Sequence, residues 1–402
     1  METTPRRAGL PQAMVIIAIG LLPMMAIVAL MPIVPALVRN FQDVPNIQTL
    51  APLVLAAPGL CVALFSPFAG ALTDRIGRRR LLLIFTVLYG LGGIVPFFLD
   101  SFVALFAGRL LLGVGEAFIL TVGNALLGDY FEKDARAKWL MWQSIIGPVC
   151  GSLLLATSGR LAAVNWNVPF LVYSVALLIA LAAYFVAYEP PLSAERQSDL
   201  AEPGTATMMA FPSGVMFGIA ATTFVLAAIY FVFTLQFSLA LDAMGVKDGR
   251  DIGNYSAIAS IGVPVGAVLF KFMSGRGNGV QFTVLFLLLG AGLTGIGLNL
   301  GVQPALAFAF VQQMGAGMVI PVLLGWSLRS LPERFRGRGM GWWASAFFLG
   351  QFASPFAVTL VRGWTGSLLN AFVAFGLVCF AIALGHPLLS RRPAAEMRPL
   401  AR

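Results

Sequence analysis

Charge is scarce in this sequence. Only 11% of the 402 residues are Asp, Glu, Lys or Arg, whereas soluble domains carry about 25%. The mean hydropathy of +0.88 excludes an ordinary soluble domain. Apolar stretches of about 20 residues, long enough to cross a bilayer as a helix, recur along the chain. They lack the alternation of a β-barrel strand, so the sequence predicts an all-α membrane protein.

Residues that support catalysis or metal binding are also few. The single histidine and the three cysteines show no metal-ligand spacing and no disulfide framework. No glycine-rich phosphate loop precedes a Lys-Ser or Lys-Thr pair, and no nucleophile is paired with a base. We therefore predict that the chain is not an enzyme, holds no metal and no cofactor, and does not hydrolyse ATP.

Twelve apolar spans can be placed, six on each side of a polar segment. That segment, residues 189–212, is rich in Pro, Ser and Glu, a composition typical of flexible linkers. We predict two six-helix bundles, residues 1–188 and 213–402, joined by a cytoplasmic linker at 189–212. The predicted spans are 13–38, 48–72, 81–99, 102–128, 138–159, 167–188, 213–240, 253–273, 280–300, 303–327, 339–361 and 365–389.

The basic residues indicate an orientation. If the N-terminus is cytoplasmic, the cytoplasmic segments hold 20 of the 26 Lys and Arg residues, and the outer segments hold five. An excess of this kind is the usual positive-inside signal. We predict a multi-pass protein of the inner or plasma membrane with both termini in the cytoplasm. The net charge of +9 is then a topology signal, and no nucleic-acid partner is expected.

The two bundles resemble each other weakly. The pair Gly113 and Gly115 lies 202 residues before the pair Gly315 and Gly317, and the same offset aligns Arg136 with Arg338. A duplicated six-helix unit explains this spacing, and such internal repeats are typical of secondary transporters. We therefore expect two pseudo-repeats within one fold.

The stretch "GALTDRIGRRRL" at residues 70–81 concentrates charge between the second and third spans. It resembles the signature of the major facilitator superfamily: a glycine, then Asp-Arg, then a glycine and basic residues. The matching residues are Gly70, Asp74, Arg75, Gly77, Arg78 and Arg79. The resemblance implies the major facilitator fold and a latch on the cytoplasmic side, in which Asp74 meets the start of the eleventh span near Arg136.

Elementary chemistry agrees with part of this interpretation. Gly70 allows close helix approach, and Gly77 allows a sharp turn. The carboxylate of Asp74 is unfavourable at the C-terminus of its own helix and favourable at the N-terminus of another. The alternative is that these charges only fix topology. The corresponding position after the eighth span holds Phe270, so the predicted latch is asymmetric.

Two ionisable residues fall inside the fourth span. Arg109 and Glu116 are seven residues apart, so they lie on nearly the same helix face, about 10.5 Å apart along the axis. An ionisable group within the membrane is costly, and its default interpretation is functional. We predict that Glu116 and Arg109 couple proton movement to transport. The alternative is a structural pair that only orients the span.

The fifth span partly resembles the corresponding motif of the superfamily's twelve-helix drug:proton antiporters. Gly147, Pro148 and Gly151 match it, whereas Gln143 and Ser152 replace glycines. The eleventh span carries an analogous small-residue cluster. We predict that the two clusters form a hinge-like packing interface, with the residues Gly147, Pro148, Gly151, Gly350, Ser354 and Pro355.

The polar residues left in the spans are candidates for lining a substrate cavity. They are Asn124, Gln143, Tyr230, Gln236, Gln312, Gln313, Trp343 and Gln351. The sequence thus predicts a monomeric, alternating-access transporter in the bilayer that exports amphipathic small molecules in exchange for protons. The alternatives are an uptake symporter or uniporter for a sugar, siderophore or other metabolite, and, more remotely, a non-transporting membrane receptor.

Overall fold

A computed structural model describes residues 8–190, 212–332 and 335–390, without the side chains of residues 71, 74, 75, 133 and 386–390. Every regular element in those ranges is helical. Two 3₁₀ helices cover Met31–Ile33 and Val168–Tyr173. The α-helices are α1 Leu10–Val28, α2 Val34–Asn40, α3 Ile47–Ile76, α4 Arg78–Phe98, α5 Phe102–Tyr130, α6 Lys133–Val164, α7 Ser174–Val186, α8 Ser213–Ala243, α9 Gly249–Ser260, α10 Gly262–Met273, α11 Asn278–Gly297, α12 Val302–Ser330, α13 Arg336–Thr365 and α14 Leu368–Ser390.

The described residues contain twelve helical stretches that are long and apolar enough to cross a membrane, which confirms the predicted fold class. Three of these spans are interrupted or compound. The first joins α1, a 3₁₀ turn and α2, the sixth joins a 3₁₀ helix to α7, and the eighth is broken between α9 and α10. The fifth span, α6, begins five residues before the predicted start, because helices continue through polar residues beyond the apolar core.

The break in the first span leaves two backbone carbonyls without their helical partners. The Leu30 N–H bonds the Ile27 carbonyl, and the Ile33 N–H bonds the Leu30 carbonyl. In a continuous α-helix these N–H groups would bond to Ala26 and Ala29. The carbonyls of Ala26 and Ala29 are therefore free to accept hydrogen bonds from other helices.

Prolines inside α3 have the same effect. Pro58 and Pro67 lie within this helix, and proline has no N–H to donate to the carbonyl four residues earlier. The carbonyls of Val54 and Ala63 are thus available to side chains. Buried backbone groups are almost always paired, so these carbonyls require donors from neighbouring helices.

Glycines bring α5 close to its neighbours. A Cβ atom built on Gly113 would lie 2.5 Å from Pro58 Cα of α3, and one on Gly115 would lie 2.8 Å from the Phe85 carbonyl of α4. No larger residue fits at either position without moving backbone. The spacing of this glycine pair therefore allows α5 to pack against two helices at once.

By contact density the chain divides into two units, Met1–Ile258 with Ser327–Thr359, and Ala259–Trp326 with Leu360–Arg402. This division does not follow the predicted boundary at 189–212, which stays a prediction. Residues 191–211 of the predicted linker lie outside the described residues.

Within the second unit, glycines again set the packing. A Cβ atom on Gly317 would lie 2.1 Å from the Val263 carbonyl of α10, and one on Gly315 would lie 3.0 Å from the Leu289 nitrogen of α11. Like the pair in α5, this pair turns one glycine toward each of two neighbouring spans. In α5 the first glycine faces the second span and the second glycine faces the third span, whereas in α12 the first faces the ninth span and the second faces the eighth. The 202-residue offset therefore does not align glycines that face equivalent spans.

Candidate functional site

Arg109 lies fully buried at the meeting point of four helices. Its Nε donates to the Val54 carbonyl at 3.1 Å, its Nη1 donates to the Tyr173 hydroxyl at 3.0 Å, and its Nη2 donates to the Ala26 carbonyl. The two backbone acceptors are carbonyls that Pro58 and the break in the first span leave free. A guanidinium carries five N–H donors in a fixed fork, so one side chain can tie α1, α3 and the sixth span to α5.

Two tyrosines complete this network. The Tyr173 hydroxyl lies 3.2 Å from the carbonyls of both Met25 and Ala26, and the Tyr89 hydroxyl donates to the Leu22 carbonyl at 2.6 Å. The Arg109 guanidinium also lies 5.5 Å from the centre of the Tyr173 ring, within cation–π range. Neither tyrosine was predicted from the sequence. Their only signal was a hydroxyl placed inside an apolar span.

Glu116 has a different environment from Arg109. Its side chain is 3% exposed, and its Oε2 atom has no hydrogen-bond partner among the described residues. That oxygen accepts nothing from Arg109, whose guanidinium bonds to carbonyls and to Tyr173. Both residues are therefore buried on α5, but this carboxyl oxygen makes no hydrogen bond to the guanidinium. Glu116 thus has a buried carboxyl oxygen with no hydrogen-bond partner among the described residues.

A small cavity lies between α1, α5 and α6. Two of the predicted cavity residues, Asn124 and Gln143, supply its polar wall. The remaining lining is apolar or glycine: Ile16, Gly20, Pro23, Ile119, Leu120, Gly123 and Leu127. A Cβ atom on Gly20 would lie 2.3 Å from Gln143 Nε2, so this glycine allows the glutamine side chain to lie across α1.

The other predicted cavity residues separate into three groups. Tyr230 and Trp343 both contact Phe347, with ring centroids 6.2 and 5.5 Å away. Gln351 and Gln236 are buried, and the Gln351 side chain lies against Gly59, 2.9 Å from a Cβ built there. In the second unit, Gln313 donates to Gln312 at 2.9 Å. None of these six residues lines the cavity between α1, α5 and α6.

All the predicted latch residues except Arg136 lie at or near the α3–α4 turn. Gly77 joins the two helices with a φ of +97°, a conformation suited to glycine. Arg78 pairs with Asp129 and donates to the Ala125 carbonyl at 2.9 Å. Arg79 donates to the Tyr184 carbonyl at 2.7 Å. The role of Asp129 was not predicted from the sequence.

A second carboxylate at this turn also went unpredicted. Glu189 accepts hydrogen bonds from the backbone N–H groups of Arg78, at 2.6 Å, and Arg79, at 2.9 Å. It thereby caps the N-terminus of α4, where a negative charge is favourable. The residue is 111 positions from Arg78 in the sequence, so no local pattern could reveal the contact.

The predicted contact between Asp74 and the eleventh span lies outside the described side chains, as does the side chain of Arg75. The backbone nearby is open, because a Cβ atom on Gly70, Gly337 or Gly341 would meet nothing within 4 Å. Arg136 lies against Gly128 of α5, with its Nη1 atom 3.4 Å from a Cβ built there. The latch thus stays a prediction.

The predicted hinge residues pack their helices against near neighbours. Cβ atoms on Gly147 and Gly151 of α6 would lie 3.7 and 3.1 Å from Leu21 and Met24 of α1. One on Gly350 of α13 would lie 2.5 Å from the Phe224 carbonyl of α8. These contacts connect the fifth span to the first and the eleventh to the seventh.

The other hinge residues lie within the same two helices. Pro148 lies inside α6 and Pro355 inside α13, while Ser354 is buried and its hydroxyl has no partner among the described residues. The role of this cluster as a hinge stays a prediction. No cluster of metal-ligating side chains occurs in the part of the chain that the structure describes.

Comparison with known proteins identifies the family. The sequence model described as Major Facilitator Superfamily matches residues 16–302. The chain belongs to the major facilitator superfamily. As a member of this family of transporters, it is a multi-pass membrane protein.

Relatives within the superfamily include exporters and a metabolite transporter. The class B tetracycline resistance protein of Escherichia coli is 31% identical over 142 residues, 34% of this chain and 35% of that protein. The bacillibactin exporter of Bacillus subtilis is 28% identical over 155 residues, 35% and 36% of the two chains. The match thus spans about a third of each exporter. The putative metabolite transport protein YyaJ of B. subtilis is 24% identical over 392 residues, 88% of this chain and 83% of that protein.

Solved structures share the superfamily fold at low sequence identity. The nucleoside transporter NupG aligns with a TM-score of 0.76 at 9% identity, covering 94% of this chain and 99% of its own. An auto-inhibited peptide transporter of the POT family aligns with a TM-score of 0.71 at 15% identity, covering 96% and 98%. These likenesses establish the fold alone.

Proposed function

We propose that this chain is a monomeric secondary transporter of the cell membrane, with both termini cytoplasmic, that exports amphipathic small molecules in exchange for protons. Alternating access would expose its site to each side of the membrane in turn. The observation that carries the proposal is the buried, unpaired carboxyl oxygen of Glu116 on α5. The exporter relatives support the outward direction, each over about a third of its length.

A group that carries a proton must meet two different environments during the cycle. A charged carboxylate is costly in a dry, apolar site and is well solvated where water reaches it. Glu116 is buried here, without an arginine fixed to its Oε2 atom. Entry of water from one side and then the other can therefore couple proton uptake and release to the conformational change.

Arg109 has a supporting role in this proposal. Its donors bond to fixed backbone carbonyls and to Tyr173, so it is held in place as a positive charge two turns from Glu116. It contributes to the electrostatic potential at the carboxyl group and does not move with the proton.

The cavity between α1, α5 and α6 is the proposed substrate site. Its walls are apolar apart from the carboxamides of Asn124 and Gln143. Sites of this kind bind ligands with an apolar body and a few hydrogen-bonding groups. Glu116 precedes Leu120 by one helical turn and Asn124 by two, so proton and substrate would bind on adjacent turns of one helix.

A metabolite uptake carrier is the second candidate function. It is favoured by the likeness to YyaJ, which extends over 83% of that protein, further than the match to either exporter. A growth screen separates the two functions. Cells that express the chain are challenged with antibiotics and dyes, with and without a protonophore. Export predicts resistance that the protonophore abolishes, whereas uptake predicts no resistance and faster growth on one nutrient.

Coupling is then tested on Glu116→Gln with the most strongly exported compound. In everted membrane vesicles energised with lactate, adding this compound should release protons and dequench the fluorescence of 9-amino-6-chloro-2-methoxyacridine. Glu116→Gln should abolish this response, because the amide binds no proton. Glu132→Gln, an exposed carboxylate before α6, should respond like the parent. An undiminished response in Glu116→Gln would remove Glu116 from the mechanism.

A further inference from the structure

The first unit contains a long seam between α3 and α13. Thr49 and Thr359 share a hydrogen bond at 2.7 Å between their hydroxyls, and the Ser345 hydroxyl donates to the Ala63 carbonyl at 3.1 Å. The accepting carbonyl is the one that Pro67 leaves free. These two contacts show that the helices run antiparallel and are joined over about 14 residues of α3.

A second seam joins α6 to α9 through glycines. Cβ atoms built on Gly159 would lie 2.5 Å from the Gly249 carbonyl and 2.7 Å from Gly253 Cα, and one on Gly253 would lie 2.6 Å from the Leu155 carbonyl. Both seams connect a helix of the first six spans to a helix of the last six. We call the end of the unit that carries the connections 41–46, 165–167 and 244–248 the outer end. Both seams reach this end.

An ion pair crosses between the same two sets of spans at the outer end. Arg39, in the last turn of α2, bonds Asp242, in the last turn of α8, with 2.6 Å between Nη1 and Oδ1. Lys247 holds the other carboxylate oxygen at 2.9 Å and the Asp242 carbonyl at 2.8 Å. Because Lys247 lies on the segment that follows Asp242, it orients the carboxylate while Arg39 supplies the link between spans.

At the opposite end of α3 and α13, three described glycines have open space beside them. We call it the inner end. The backbone at Gly70 of α3 and at Gly337 and Gly341 of α13 has open space where a Cβ atom would lie. Among the described residues, α3 and α13 are thus joined at the outer end, whereas these glycines at the inner end have no neighbour within 4 Å of the Cβ position.

We propose that the Arg39–Asp242 ion pair is a lock that holds the outer end closed and thereby favours the conformation described here. Charged groups at half-exposed positions contribute modestly. Arg39 is 50% and Asp242 22% exposed, and pairs of this kind change an equilibrium by up to about fivefold. A two-state transporter that cycles between conformations is sensitive to a change of that size. The proposal names no substrate and no coupling ion, so it is independent of the proposed export function.

Hydrogen exchange measured by mass spectrometry on the protein in lipid nanodiscs tests the lock. Arg39→Gln and Asp242→Asn should each raise exchange by up to about fivefold in peptides covering 40–47 and 244–248. Each should also lower exchange at 70–76 and 336–341, because the population moves toward a state closed at the inner end. The double variant should change exchange no further than Asp242→Asn alone, since both single variants remove the link between Arg39 and Asp242.

Two further variants make the result decisive. Arg160→Gln removes the same charge at the outer end and should leave both ends unchanged, because Arg160 bonds the Ala156 carbonyl of its own helix. Arg39→Lys keeps the charge without the guanidinium fork and should give an intermediate shift. The proposal fails if exchange rises at the outer end without falling at the inner end, if the two single effects add, or if Arg160→Gln reproduces the shift.

Discussion

Replacing Arg109 with methionine tests whether this residue is a structural clamp. Methionine keeps much of the apolar volume and removes every donor. The Val54 carbonyl would lose its side-chain donor, the Ala26 carbonyl would keep only the Tyr173 hydroxyl, and that hydroxyl would lose one partner. Neither carbonyl can recover a helical partner, since Pro58 has no N–H and the Leu30 N–H bonds elsewhere.

The magnitude follows from the number of bonds. Interhelical hydrogen bonds inside membrane proteins contribute about 0.6 to 1.7 kcal/mol each. Three such bonds place the loss of folding free energy for Arg109→Met at about 2 to 5 kcal/mol. Arg109→Lys should have a folding free energy between those of Arg109→Met and the parent, because an ammonium group reaches one acceptor where the planar guanidinium reaches three.

Thermal unfolding in detergent, followed by tryptophan fluorescence, measures this loss as a lower Tm. Arg160→Met is the matched control, because Arg160 is exposed and bonds within its own helix. Pro58→Ala supplies an N–H for the Val54 carbonyl, so the loss caused by Arg109→Met should be smaller in that background. The reasoning is refuted if Arg109→Met leaves the Tm unchanged and abolishes transport, because Arg109 would then act in transport and not as a clamp.

Two further predictions concern the cavity and the α3–α4 turn. Gly20→Ala places a methyl group 2.3 Å from Gln143 Nε2, so the glutamine side chain must leave the cavity wall. The KM for the exported compound should rise about 2- to 12-fold, the equivalent of one lost hydrogen bond, whereas Gly218→Ala, in open space, should not change it. Glu189→Gln should weaken the cap of α4 by about 1 kcal/mol and speed amide exchange of residues 78–79 about fivefold. Glu132→Gln should have no such effect on α6, because Glu132 makes no side-chain cap bond, and equal exchange in both variants would contradict the cap.

Much of the fold follows from the sequence because the membrane imposes a simple rule. A helix must remain apolar for about 20 residues to cross the bilayer, and the described residues contain twelve such stretches. The break within the first span was not predicted. It lies in a segment that is apolar throughout, so hydropathy carries no signal there, although Pro32 and Pro35 mark the place.

The partners of the charged residues were harder to predict. The sequence placed Arg109 and Glu116 on one helix face and therefore suggested that they act as a pair. In the structure, Arg109 instead donates hydrogen bonds to backbone carbonyls of two other helices. Those acceptors depend on which helices pack together. The same holds for Glu189 at the start of α4 and for Asp129 beside Arg78. Contacts between residues distant in sequence leave no local pattern.

Prolines nevertheless offer a rule for reading polar residues in membrane helices. Pro58 frees the Val54 carbonyl, which Arg109 occupies, and Pro67 frees the Ala63 carbonyl, which Ser345 occupies. A polar side chain that satisfies such a carbonyl has a structural reason to lie in the membrane. Glu116 cannot be explained in this way, because an ionised carboxylate only accepts hydrogen bonds and its Oε2 atom has no donor among the described residues. Glu116 is therefore the stronger candidate for a role in transport, because no freed carbonyl explains its place in the membrane. Arg109 is the weaker candidate, because its place is explained by the carbonyls that it bonds.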